Sequence, residues 1–118
     1  MDTSKYIKSP LTTEDIDRIE SSYLSPIIKH RIRLFAHCLA CFKEITKNSS
    51  QGALPSKEII LNWLLEQPSL ADDPDFVYIL LEQFLGVEKY LEKLALERKI
   101  SPLELTLDDL LNEALKDR

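Results

Sequence analysis

A chain of 118 residues, 44% hydrophobic and 30% charged, has the size of one globular domain and lies far from the low-hydrophobicity signature of disorder. Its net charge of −5 argues against a protein that meets polyanions with its whole surface, and two cysteines three residues apart cannot staple a fold of this length. No apolar run approaches the ~18 residues that span a bilayer, and the start MDTSKYIKSP lacks the apolar core of a signal peptide, so a soluble cytoplasmic protein with reduced thiols is expected.

Twenty-one leucines and eleven isoleucines stand against two valines and two glycines, which favours helices. Residues 1–11 read as an N-terminal tail and 12–118 as a single helical domain. Thr12 can cap a first helix whose opening turn is acidic, with Leu11 stapled onto Ile16 and an apolar stripe of Ile16, Ile19 and Tyr23. Ser25-Pro26 reads as the cap and first residue of a second helix to about Lys47, followed by the polar loop 48–52. Ser56 caps a third helix, Lys57 to Gln67, with Ile60, Trp63 and Leu64 inward.

Asp73-Pro74 opens a fourth segment whose apolar residues at 77, 80, 84, 87, 91 and 94 fit one long helix, although Gly86 makes a break plausible. Ser101-Pro102 restarts the chain. Thr106 and Asp109 then resemble a capping box for a last helix to about Lys116. The expected fold is all-α, a compact bundle of five or six helices. The fourth and fifth helices carry apolar groups on more than one face. Two alternatives stand for them: they form the bundle's centre, or part of that surface is reserved for another chain, commonly an identical one.

The second helix contains KHRIRLFAHCLACFKEI, with both histidines and both cysteines of the chain. At 100° per residue, Ile28, Ile32, Phe35, Leu39 and Phe42 fall within about 80°, with Ile27, Cys38 and Ile45 beside them. That is a broad core face. Lys29, Arg33, His37, Glu44 and Lys47 gather on the opposite side, with Ala36 and Ala40 leaving room for a neighbour. Arg31 points near the middle of the apolar face. It either snorkels past the end of the core or enters an ion pair with an acid of the C-terminal half or of a partner.

His37 and Cys41, at i and i+4 with His30 on the same edge, could share a zinc ion, but a structural zinc needs four ligands and a catalytic one three, so Glu44 or a second copy of the chain would have to complete the shell. Cys38-x-x-Cys41 lies deep in a helix, where redox pairs do not usually sit. Both cysteines read as small apolar core residues, and neither metal nor cofactor is expected.

Lys29, Arg31, Arg33, Lys43 and Lys47 against Glu44 give residues 27–47 a local charge of +4, which leaves nucleic-acid binding through this helix as an alternative. LEKLALERKISPLEL loosely resembles a helix-turn-helix core at Leu94, Ala95, Ile100 and Leu105. Its would-be recognition segment, however, carries Glu104, Asp108, Asp109 and Glu113 and no lysine or arginine, so phosphates would repel it. No glycine-rich phosphate loop, G-x-S-x-G or H-E-x-x-H is present, and Asp72, Asp73 and Asp75 read as helix-start acids.

Residues 1–59 hold nine Lys/Arg against seven Asp/Glu (+2), and residues 60–118 six against thirteen (−7). The sequence therefore points to a non-enzymatic protein-interaction or regulatory module with a protein partner, a homodimer being one form of it, and no membrane contact. The candidate interaction surface is Lys29, Arg31, Arg33, His37, Lys43 and Lys47.

Overall fold

The computed structural model describes residues 11–47, 49–70 and 72–116, which form five α-helices and no strand. They are α1 (Thr13–Glu20), α2 (Pro26–Ile45), α3 (Lys57–Leu65), α4 (Pro74–Arg98) and α5 (Leu107–Lys116), with single 3-10 turns at Pro68–Leu70 and Pro102–Glu104. Of the expected tail, residues 1–10 lie outside the described residues, as does Asn48 of the polar loop. Leu11 packs on the core.

The predicted caps close as hydrogen bonds. Asp15 N donates to Thr12 Oγ1 (3.0 Å) while Thr12 N donates to the Asp15 carboxylate (3.3 Å), and Thr106 with Asp109 repeats the exchange at the start of α5. Ser25, Ser56 and Asp73 each accept from a backbone N–H one turn inside α2, α3 and α4. Tyr23 departs from the expected stripe, because α1 ends at Glu20 and leaves Tyr23 in the turn, 88% exposed.

Helix α4 runs unbroken through Gly86, so the bundle has five helices. Gly86 is exposed and a Cβ there would meet nothing within 4 Å. Gly86→Ala is accordingly expected to raise stability by about 0.5–1 kcal/mol, measured as a later urea midpoint with unchanged slope. At the other end Lys99 takes the left-handed conformation (φ 60°), and Ile100 N donates back to Ala95 O (3.0 Å), a closure that glycine more commonly supplies.

The geometric centre is α2, which packs against each of the other four helices and the Pro102–Glu104 turn. Helix α4 buries one broad face through Val77, Leu80, Leu81, Phe84, Val87, Leu91, Leu94 and Ala95, and leaves Tyr78, Ile79 and Leu96 in water. Ring contacts join the helices: Phe35 stacks on Tyr90 at 4.3 Å, and Phe42 and Trp63 meet Phe84 edge-on at 5.7 and 6.3 Å.

The helix-turn-helix-like positions belong to this packing. Leu94, Ala95 and Leu105 are buried in the core and Ile100 packs against it. Each acid of the following segment has an internal partner. Ser101 N and Oγ donate to Glu104 and hold its carboxyl below the usual range. Asp108 pairs with Arg18 of α1, and Arg98 bridges Asp109 (3.2 Å) and Glu113 (3.5 Å).

Candidate protein-interaction surface

Helix α2 changes character along its length. In its first two turns only Ile32 is buried, whereas Ala36, His37, Cys38, Leu39, Cys41 and Phe42 are all buried and point in every direction around the axis. The small side chains Ala36, Cys38, Ala40 and Cys41 let neighbouring elements close around it there.

His37 is therefore not on the outer basic stripe where its angle put it, but 5% exposed inside the bundle. Once a helix is enclosed on all sides, angular position no longer sorts inside from outside. The absence of any charged residue between Arg33 and Lys43 was the available signal. Ile27 errs in the opposite direction: it was grouped with the core, yet it lies in the first turn, beyond the packed region, and is 75% exposed.

The remaining candidate cations separate into engaged and free. Lys29 Nζ donates to Glu20 O (2.7 Å), satisfying a carbonyl at the end of α1. Lys43 Nζ donates to Leu105 O (2.7 Å) and ties α2 to the approach to α5; burial lowers its pKa, and the nearby Asp109 carboxylate partly restores it. Lys47 is exposed in a left-handed turn just past the helix (φ 61°). Arg31 and Arg33 are exposed and make no ion pair among the described residues.

Arg31 thus lies outside the core, as the snorkelling alternative expects, and pairs with no acid of the C-terminal half among the described residues. Arg31→Met is expected to shift the folding free energy by no more than about 0.5 kcal/mol, since no buried charge is left behind; a denaturation midpoint lowered by several times that amount would reveal a hidden partner.

Cys41 Sγ lies 3.7 Å from His37 Nε2. A thiolate-imidazolium nucleophile would need a depressed thiol pKa. Burial instead pushes Cys41 up to about 12, with the Glu44 charge adding to it, and raises Cys38 by the same main cause. Among the described residues no group of three or more His, Cys, Asp or Glu side chains could hold a metal ion, and no helix is long and apolar enough to cross a membrane.

One perturbed acid escaped the sequence reading. Glu88 on α4 is half-buried, and desolvation, then the neighbouring Glu92, lifts its pKa to about 7. Its Oε2 has no hydrogen-bond partner among the described residues. A raised carboxyl favours folding while protonated and opposes it once ionised, so stability from this group is lost as pH rises from about 4.5 to about 7. Glu88→Gln is expected to flatten that part of the stability profile, gaining on the parent protein through the window and holding the gain above it.

Against known proteins, the family model described as NDH complex assembly factor CRR9 matches residues 11–118. No curated protein and no solved structure matches. The match begins at Leu11, just before the Thr12 cap, and takes in all five helices. The chain belongs to the NDH complex assembly factor CRR9 family.

Proposed function

We propose that the chain assists assembly of the NDH complex without catalysis, by holding a protein component through a contact that weakens with salt. The observation that carries this reading is the family match over residues 11–118. Two features of the fold agree with it. The side chains most suited to chemistry, Cys38, Cys41 and His37, are enclosed, with the thiols pushed toward their neutral form. Two arginines, Arg31 and Arg33, are exposed and make no ion pair among the described residues, where a charged surface would recognise its complement.

A nucleic-acid reading through residues 27–47 has less to work with than the sequence suggested. His37 lies in the core, and Lys29 and Lys43 each donate to a backbone carbonyl.

The test is sedimentation of source-cell extracts holding a tagged full-length chain. At low salt the chain is expected to travel with partly built NDH complex, and to be released as salt is raised and the charges are screened. Sedimentation as a free protein at every salt concentration, with normal NDH complex in cells lacking the chain, would overturn the proposal.

A further inference from the structure

We infer that the turn into α2 and its first two turns, presenting Tyr23, Ile27, Arg31 and Arg33, dock an acidic protein segment that carries an apolar side chain. The inference rests on the assembly reading and names the kind of partner it requires. Tyr23 (88%) and Ile27 (75%) are among the most exposed large apolar side chains of the molecule, and they stand four residues apart. Ile27 and Arg31 are neighbours at i and i+4 on the helix, and half-buried Leu34 continues the same stripe at i+7. Tyrosine and arginine beside aliphatic surface is the composition of protein-binding hot spots.

Charge defines the occupant. No aspartate or glutamate occurs between Glu20 and Glu44, so the segment itself brings no acid to this face. Four other cations have internal duties: Arg18 pairs with Asp108, Arg98 with Asp109 and Glu113, and Lys29 and Lys43 with carbonyls. Arg31 and Arg33 make no ion pair among the described residues. The first turn of α2 also carries no acid to meet the positive end of its dipole.

A bare polyanion would use the two arginines but leave Tyr23 and Ile27 in water. An acidic segment with one or more apolar anchors meets both needs of the surface.

The test is site-specific photo-crosslinking of the full-length chain in its source cell, with a benzophenone amino acid at position 23, 27 or, as a control on α4, at Leu96, which is 79% exposed. Positions 23 and 27 are expected to capture an acidic stretch of an NDH complex component. Yield should fall about tenfold or more in an Arg31→Glu, Arg33→Glu background, while position 96 gives none. Capture from 23 and 27 of lipid, nucleic acid, a second copy or a non-acidic NDH stretch, or NDH capture from position 96 alone, would overturn this surface and leave the assembly reading standing. Capture of no NDH component from any position, together with normal NDH complex in cells lacking the chain, would overturn both.

Discussion

Replacing Phe42 with alanine is expected to cost about 3–5 kcal/mol, a large part of the ~5–15 kcal/mol that holds a domain of this size together. Phe42 is fully buried on α2, the helix that touches all the others, and its ring meets Phe84 of α4 edge-on at 5.7 Å. Phe84 in turn meets Trp63 of α3, so the lost ring opens a cavity at the junction of three helices. The surrounding side chains cannot all move in to fill it. Urea titration of Phe42→Ala should show an early midpoint with little change in slope, whereas Phe35→Ala, half-buried at the edge of the same face, should cost distinctly less. A Phe42→Ala loss within about 1 kcal/mol would show that α2 is not the centre of the core.

The second large effect concerns the thiols. Moving Cys41 from a pKa of 9.0 to about 12 lowers its thiolate population at neutral pH about a thousandfold, before any steric protection is added. Alkylation of the native protein at neutral pH is therefore expected to be much slower than that of a free thiol, and to follow unfolding of the chain. Because the folded pKa is raised, the group's contribution to stability is complete below about pH 9 and is lost as pH climbs towards 12. Three pKa units correspond to an upper bound on the order of 4 kcal/mol at ~1.4 kcal/mol each, and Cys38 acts in the same direction. Rapid modification of both thiols in folded protein would contradict this and would reopen the Cys41–His37 pair as chemistry.

What could be read from the residues alone followed local rules. Thr12 with Asp15, and Thr106 with Asp109, satisfy helix ends through hydrogen bonds that span three positions, so their signature is contained in a few residues. The core face of α2 was legible for the same reason: Ile32, Leu39 and Phe42 recur at helical spacing.

The misjudged positions depended on what surrounds the helix. His37 is buried because other elements enclose the second half of α2, and Ile27 is exposed because no described residue covers its side of the first turn. Tyr23 kept the periodicity of α1 but fell beyond its last residue. The surface now built around Tyr23, Ile27, Arg31 and Arg33 keeps two of the six residues expected from the charge pattern and adds two that the apolar pattern had assigned to the interior. Charge identified the helix, while only the packing separated cations that serve the fold from those that face outward.

Glu88 was hidden for a related reason. Its one-dimensional setting, a glutamate on a long charged helix, is ordinary, and only desolvation beside Glu92 distinguishes it.

The most direct measurement is the amount of assembled NDH complex in source cells whose own copy is replaced by either of two variants made to comparable levels. Cys41→Ala, which removes the thiol beside His37, should restore the complex, while Arg31→Glu, Arg33→Glu, folded as well as the parent, should not. Restoration by the charge-reversed chain and failure of a folded Cys41→Ala chain would contradict the account, moving the activity from the arginine-bearing surface to the enclosed sulfur.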